Sequence, residues 1–219
     1  MAISVVVVVG DEAADEMLDQ LTPRIRALRV GAYDQQGVEM GPVVTPDAMD
    51  RIRRYIDRGV EEGADLVVDG RNIRIQGYEN GCFVGPTLFD KVKSGMSIYT
   101  DEIFGPVLSL VRVASYDEAV ALINDHEYGN GTAIFTRDGD AAREFSHRVQ
   151  IGMVGINVPI PVPLAFHSFG GWKRSLFGDH YIHGPEGVRF YTRMKTITAR
   201  WPSGIRSGAV YNFNRGGEH

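Results

Sequence analysis

The stretch VLSLVRVASYDEAVALINDHEYGNGTAIFTRDGDAAREFSHRVQIGMVGIN, residues 107–157, decides the fold because two kinds of hydrophobic pattern alternate along it. Helical spacing predicts helices over 115–125 and 140–149, and a capping box of Ser115 and Glu118 opens the first. Apolar runs predict three strands, at 107–113, 132–136 and 153–157. Strand, helix, strand, helix, strand at these lengths predicts right-handed crossovers and a parallel sheet.

The chain before this stretch continues the alternation of helices and extended segments. Apolar residues at helical spacing predict one or two amphipathic helices over 11–30, kinked or divided at Pro23. Thr45 and Pro46 mark the start of another helix, which Gly63 ends. Two extended segments are predicted after it, at DLVVDG (65–70) and NGCFVGPTLF (80–89).

The chain after this stretch ends in a segment of different character. From Met194 onward apolar and polar residues alternate, which is typical of an extended, half-exposed strand. Such a strand pairs most naturally with the sheet edge of another subunit, so we expect a homo-oligomer. These patterns divide the chain into a main domain at 1–190, an oligomerisation strand at 191–202 and a surface or disordered tail at 203–219.

Composition excludes several classes of protein. The chain has 219 residues, of which 43% are hydrophobic and 23% charged, so it is long and apolar enough to bury a sizeable core. The formal net charge of −5 provides no general positive field, so neither nucleic acid nor a membrane surface is an expected partner. Residues 141–219 are locally positive, with 10 basic and 4 acidic side chains.

The N-terminus and the single cysteine indicate where the protein is located and whether a further segment precedes this chain. MAISVVVVVG is too short to cross a bilayer and lacks the basic region of a secretory signal. Its run VVVVV has strand propensity and resembles buried core, so we expect that a segment precedes it. Cys82 has no cysteine partner for an internal disulfide, which favours a reducing, cytoplasmic location.

Several candidate sites are weak. Cys82 is the only thiol, but no base lies near it in sequence, and free cysteines are mostly buried and inert. His180 and His183 have a spacing that could hold a metal, yet no carboxylate or cysteine pattern completes the set. Neither a GxGxxG dinucleotide fingerprint nor a GxxxxGK phosphate loop occurs in the chain.

The segment TDEIFGPV, residues 100–107, has two possible interpretations. A carboxylate of Asp101 or Glu102 at a strand entrance could accept hydrogen bonds from sugar hydroxyls, while Phe104 provides a flat apolar wall. Alternatively, the segment is a solvated acidic turn followed by a core phenylalanine. Physical chemistry alone favours the second interpretation.

The motifs EIFGPV, NDHEYGNGTAIFT, GMVGIN and FGGWK, in this order and spacing, resemble the C-terminal half of the aldehyde dehydrogenase superfamily. GYENGCFVGPTLFD, VGINVPIPVPL, FSHRVQIG and GVRFYTRMKTITARW are similar to one branch, the CoA-acylating methylmalonate-semialdehyde dehydrogenases. The resemblance extends from Met1 to about Gly208. It implies an α/β catalytic domain of three layers with a mostly parallel sheet, and a helix beginning at VVVVV.

This resemblance implies a reaction and its cofactors. In the family a cysteine thiolate attacks the aldehyde, hydride transfer to NAD leaves a thioester, and in this branch the acyl group passes to CoA with loss of the carboxyl group. Methylmalonate or malonate semialdehyde then yields propionyl-CoA or acetyl-CoA. The family's cysteine would align one position before Met1, so the resemblance implies that the nucleophile and the NAD-binding domain are absent here.

The resemblance also implies roles for four residues. Glu102 matches the residue that binds the nicotinamide ribose hydroxyls, and Phe104 matches its neighbour against the nicotinamide. Phe169 matches a wall of the substrate tunnel, and Asn157 a residue near the tunnel mouth. No catalytic residue is assigned.

Three hypotheses follow. The chain is an inactive C-terminal fragment of an NAD-dependent, CoA-acylating semialdehyde dehydrogenase, or it is a non-catalytic partner that docks its terminal strand onto a full-length homologue. A third is a different CoA-dependent aldehyde dehydrogenase that uses Cys82 as its nucleophile.

Overall fold

Residues 2–201 are described by a computed structural model, in which helices cover both faces of a mixed sheet. The strands are β1 (Val5–Val9), β2 (Asp65–Val68), β3 (Thr87–Asp90), β4 (Val107–Val113), β5 (Tyr128–Gly129), β6 (Gly131–Ile134), β7 (Met153–Ile156) and β8 (Trp172–Lys173). The helices are α1 (Asp11–Ala27), α2 (Pro46–Glu61), α3 (Ser97–Thr100), α4 (Tyr116–Asp125), α5 (Gly139–Arg148) and α6 (Pro185–Tyr191).

The main sheet has four strands in the order β1-β4-β3-β2. Strand β4 is parallel to both of its neighbours, with Val5 opposite Ser109 and Thr87 opposite Val107. Strand β2 runs antiparallel to β3 at one edge. Strand β1 forms the other edge, so the strand propensity of VVVVV is confirmed and the helix start implied there by the resemblance is wrong.

Alternation along β4 explains the three layers. Val107, Val111 and Val113 point to one face, where they pack with α2, α3 and α4 around the fully buried Ile52. Leu110 points to the opposite face, where it packs against Ala14 of α1. Because side chains of a strand alternate between faces, a nearly continuous apolar strand needs a cover on each side.

The helix starts follow the predicted capping chemistry. The Thr45 side chain accepts a hydrogen bond from the Ala48 backbone N–H, with Pro46 next in the chain. Ser115 accepts one from the Glu118 backbone N–H at the start of α4. The return bond of the predicted capping box is shifted by one residue, since the Glu118 carboxylate accepts from the Ala114 N–H. Pro23 does not divide the first helix, since α1 continues through it to Ala27. The predicted helix from Pro46 to just before Gly63 and the one at 115–125 are therefore confirmed.

The single parallel sheet predicted for residues 107–157 is wrong in one respect. Strands β6 and β7 are parallel and joined through α5, as predicted, with Gly131 opposite Met153. They form a two-stranded sheet of their own, whereas β4 belongs to the four-stranded sheet. Sequence patterns specify the alternation of elements, but they do not specify which strand edges meet.

The C-terminal region differs from its prediction at the boundary. Helix α6 includes Tyr191, so the extended segment begins at Thr192 and not at residue 191. Residues 192–201 form no strand pair within the described chain, and their side chains are exposed. The predicted tail at 203–219 lies outside the described residues.

Candidate functional site

A short loop between α3 and β4 carries two of the candidate residues. It runs from Asp101 to Pro106, immediately before the strand at the centre of the sheet. Ile103 is buried, whereas Glu102 and Phe104 on either side of it are exposed. The loop therefore exposes a carboxylate and an aromatic ring to solvent, and the buried Ile103 between them holds it against the protein.

Phe104 has an unusual conformation. Its φ is 53°, in the left-handed region that bulky L-residues avoid, and 76% of its surface is exposed. The interpretation as a core phenylalanine is therefore wrong. Backbone strain of this kind concentrates at functional sites, because only a selected function or the surrounding structure maintains it.

Glu102 has no hydrogen-bond or ion-pair partner within residues 2–201. A carboxylate accepts hydrogen bonds at both oxygens, so an exposed and unpaired one can bind two neighbouring hydroxyl groups. Its neighbour Asp101 differs, since it accepts hydrogen bonds from Tyr55 and from Thr100. Of these two acids, Glu102 is the one free to bind a ligand.

Helix α2 holds the loop in place. The Arg51 guanidinium donates to the Ile103 carbonyl at 3.2 Å, and the Tyr55 hydroxyl donates to Asp101 at 2.9 Å. The hydrogen bond to Asp101, with burial, raises the pKa of Tyr55 above its ordinary value. Gly105 lies against Ile52, where an added Cβ would lie 2.6 Å from a methyl carbon. Sequence reasoning missed Arg51 and Tyr55, because these contacts join residues 46 and 52 positions apart.

Asn157 follows β7 in a left-handed conformation with φ 57°. Its side-chain oxygen accepts from the Thr136 N–H at 3.0 Å, and its side-chain nitrogen donates to the Thr136 carbonyl at 3.1 Å. These bonds extend the pairing of β6 and β7 by a side chain. The amide thus has a structural role, and its place near a tunnel mouth stays a prediction.

Phe169 lies in a segment that is clamped to the start of α6. Its ring stacks on His183 with centroids 4.5 Å apart and planes 13° apart. Next to it, the Ser168 hydroxyl donates to the His183 carbonyl and accepts from the Glu186 N–H. The ring therefore has a defined position, as a wall residue would need. Sequence reasoning missed the contribution of His183, since a ring stack leaves no local pattern.

The four candidates lie in two parts of the chain. Glu102 and Phe104 share one loop, and Asn157 and Phe169 belong to the segment that follows β7. Among residues 2–201, no hydrogen bond, ion pair or ring contact joins the loop to that segment. The proposed cofactor side and substrate side are therefore not linked by a direct polar or ring contact among residues 2–201.

Cys82 has surroundings of its own. Its carbonyl accepts from the Val43 N–H at 2.8 Å, and it lines an apolar cavity of about 320 Å³ together with Tyr78 and Phe83. No residue of the loop from Asp101 to Pro106 lines that cavity. The structure gives Cys82 no basic partner within residues 2–201.

His180 and His183 do not form a metal centre in the described chain. The His180 ring nitrogen lies 2.9 Å from a Glu186 carboxylate oxygen, while His183 stacks on Phe169. Residues 2–201 contain no cluster of three or more metal-ligating side chains. None of their helices combines the length and apolar character that crossing a membrane requires.

The chain belongs to the aldehyde dehydrogenase family, whose sequence model matches residues 1–197. A malonate-semialdehyde dehydrogenase of Pseudomonas aeruginosa is 61% identical over 202 residues, which cover 92% of this chain and 41% of that protein. An acylating methylmalonate-semialdehyde/malonate-semialdehyde dehydrogenase of Bos taurus is 50% identical, over 92% of this chain and 37% of that protein.

Solved structures give the same result. A Sinorhizobium meliloti protein assigned as a methylmalonate-semialdehyde dehydrogenase, crystallised with NAD, matches with a TM-score of 0.89 and 61% identity. The match covers 94% of this chain and 42% of that one. The chain thus spans about two fifths of the length of these relatives.

Proposed function

We propose that this chain forms part of the catalytic site of an NAD-dependent, CoA-acylating semialdehyde dehydrogenase, as its C-terminal portion. The reaction is methylmalonate or malonate semialdehyde, CoA and NAD to propionyl-CoA or acetyl-CoA, CO2 and NADH. The identities of 61% and 50% to enzymes named for these semialdehydes support the substrate class. A cytoplasmic location and a homo-oligomer belong to the same proposal.

The observation that carries the proposal is the loop with Glu102 and Phe104. A free carboxylate with two acceptor oxygens fits the two hydroxyls of a ribose, and an exposed ring 76% open to solvent fits the face of a nicotinamide. The residues therefore fit NAD, which accepts the substrate's hydride when it is bound. Arg51 and Tyr55 anchor the loop that carries both groups, through hydrogen bonds to Ile103 and Asp101.

On the substrate side, Phe169 provides an apolar wall. The stack on His183 and the hydrogen bonds of Ser168 fix its position, so that the wall does not have to be ordered when substrate binds. Asn157 lies at the end of β7, and we assign it to the mouth of the same tunnel. CoA is the acyl acceptor.

We assign no catalytic role to Cys82. It lies beside an apolar cavity that no residue of the Glu102 loop lines. No hydrogen bond or ion pair joins its side chain to a basic group in residues 2–201. The nucleophile then comes from outside the 219 residues, and these residues by themselves do not oxidise the aldehyde.

An assay of the purified chain tests this proposal. Malonate semialdehyde, CoA and NAD are supplied together, and NADH is followed by absorbance. We expect no aldehyde-dependent NADH, since loss of a covalent nucleophile costs several orders of magnitude in rate. Activity that disappears in Cys82→Ala would contradict the assignment and favour the third hypothesis, a dehydrogenase that uses Cys82.

A second candidate function is supported by the exposed end of the chain. Met194 is 97% exposed, Ile197 78% and Trp201 90%, in a segment with no strand partner among residues 2–201. Such a segment could dock onto the sheet edge of a full-length homologue, which makes the chain a non-catalytic partner. Co-purification with a longer homologue, lost in Ile197→Asp and kept in Lys195→Gln, would support it; a chain that remains monomeric beside that homologue would contradict it.

A further inference from the structure

Helix α2 exposes a stripe of arginines beside the Glu102 loop. Arg51, Arg54 and Arg58 are spaced by three and four residues, so they lie on one face of the helix, and all three are exposed. Seven residues of helix span about 10 Å. We call Arg51, Arg54 and Arg58 the arginine stripe.

The arginine stripe makes no ion pair with a carboxylate within residues 2–201. Asp47 and Asp50 stand four residues before Arg51 and Arg54, a spacing that allows a pair, yet neither forms one. Elsewhere on the surface, Arg71 and Arg148 each hold two carboxylates at 2.6 to 2.9 Å. The stripe is therefore not the usual mixed-charge helix surface.

Each arginine of the stripe has a different environment. Arg51 donates to the Ile103 carbonyl, and the Arg58 guanidinium lies 5.8 Å from the centre of the Tyr55 ring. Arg54 has no partner in the described part of the chain. Tyr55, on the same helix, donates its hydroxyl to Asp101 of the loop. The arginine stripe thus lies next to the loop that carries Glu102, because Arg51 belongs to the stripe and contacts the loop.

The nearby acids leave this surface available to an anion. Asp101 is engaged by Tyr55 and Thr100, Asp57 by Arg71, and Glu62 by Ser97. Asp47 and Asp50 at one end of the stripe and Glu61 at the other form no ion pair with it in residues 2–201. Glu102 is exposed and suits hydroxyl groups. The stripe itself presents three guanidinium groups. A guanidinium can bind phosphate oxygens with two parallel hydrogen bonds.

We infer that the arginine stripe binds the phosphate groups of a nucleotide cosubstrate, and that CoA is this cosubstrate. Along the helix the stripe is about 10 Å long, whereas the two phosphorus atoms of a diphosphate share one bridging oxygen and lie much closer together. CoA carries a 3′-phosphate in addition to its diphosphate, so it can use more of the stripe than NAD can. The inference rests on the proposed CoA-dependent function, and it adds a binding site on a helix to which that proposal assigns only support of the loop.

Phosphorus NMR of CoA titrated with the 219-residue chain tests the inference. We expect the 3′-phosphate and diphosphate signals to shift or broaden, with weaker binding at high salt. Arg54→Gln should weaken binding about tenfold, the size of one strong charge-assisted contact. Arg54→Lys should retain part of the affinity, and Arg143→Gln on α5 is the matched control. Circular dichroism confirms that each variant has the helix content of the wild type.

Comparing several phosphate-containing ligands shows which of them the arginine stripe prefers. CoA should bind more tightly than 3′-dephospho-CoA, NAD or inorganic phosphate. Absence of CoA binding, equal binding by Arg54→Gln and Arg143→Gln, or NAD bound as tightly as CoA would overturn the inference. Inorganic phosphate bound as tightly as CoA would reduce the stripe to a general anion site and would overturn it too. Glu102→Gln, tested against NAD, examines the proposed function separately.

Discussion

Phe104 keeps a large ring in water on a backbone that L-residues avoid, a combination that packing does not explain. Its φ of 53° costs on the order of 1 kcal/mol, and its side chain regains little by burial because 76% of it is exposed. Beside it, Glu102 is a carboxylate without a partner in residues 2–201. The two residues make physical sense together as a surface that a ligand covers.

The replacement Phe104→Gly separates stability from binding. Glycine adopts a positive φ without steric cost, so we expect the free energy of unfolding to stay unchanged or to rise by up to about 1 kcal/mol. NAD binding should fall, because the ring is lost. Denaturant unfolding and NAD titration measure the two effects. A loss of more than about 1 kcal/mol would show that the ring stabilises the fold, contrary to its exposure.

Arg112 links three acids across the sheet. It pairs with Asp90 at 2.7 Å, with Asp15 at 2.7 Å and with Asp11 at 3.4 Å, and so ties α1 to β3 and β4. Burial raises the pKa of Asp90, but the hydrogen bonds from Arg112 and from the Lys91 N–H outweigh it and hold the pKa below the ordinary value. Removing one partner of such a pair leaves a buried charge.

This ion cluster predicts a dependence of stability on pH. A depressed carboxylate pKa gives stability that is complete above the unfolded value of about 4 and is lost as pH falls through the folded pKa. Arg112→Leu should cost about 3 kcal/mol at neutral pH. In Asp90→Asn the free energy of unfolding should fall less toward low pH than in the wild type. Asp19→Asn is the control and should behave like the wild type. Denaturant unfolding at several pH values measures this free energy. Parallel curves of stability against pH for the wild type and Asp90→Asn would contradict the prediction.

At the scale of elements, Gly59 shows why propensity does not determine packing. It lies within α2, where an added Cβ would lie 2.9 Å from the Phe89 ring and 3.0 Å from Ile98. Phe89 is fully buried, and protein interiors are close-packed. The gain in helix propensity from alanine is about 1 kcal/mol, and overpacking a core costs about 1 to 3 kcal/mol.

Gly59→Ala should therefore lower the free energy of unfolding by about 1 kcal/mol, in spite of alanine's better propensity. Gly139 is the matched control, since it opens α5 and a Cβ there would meet no atom within 4 Å. Gly139→Ala should not destabilise the protein. Equal effects of the two replacements in urea unfolding would show that helix α2 moves away from β3 more easily than its packing indicates.

Sequence patterns predicted the elements better than their association. Thr45 and Ser115 predicted the helix starts correctly because capping is a local interaction. Strands β6 and β7, joined through α5, are parallel as the crossover rule predicts. Sheet membership depends on contacts between distant residues, so the separation of β6 and β7 from β4 was not predicted. Helix α6 was missed as well, in a segment of only seven residues.

For the whole molecule, the loop with Glu102 was recognised through a family resemblance, and physical reasoning alone favoured a solvated turn. The chain belongs to the aldehyde dehydrogenase family, and it spans about two fifths of relatives such as the Pseudomonas aeruginosa enzyme. The supports of the loop, Arg51 and Tyr55, lie on a helix about 50 positions earlier in sequence. Only the folded chain brings them to the site.

The measurement that tests the proposed nicotinamide site most directly is NAD binding by the wild-type chain and by Glu102→Gln. Saturation-transfer NMR detects weak binding and reports which protons of the ligand lie against the protein. We expect contacts at the nicotinamide and its ribose, with affinity reduced about tenfold in Glu102→Gln and unchanged in the control Glu12→Gln. Absence of NAD binding by the wild type, or equal binding by Glu102→Gln, would contradict the assignment of this loop.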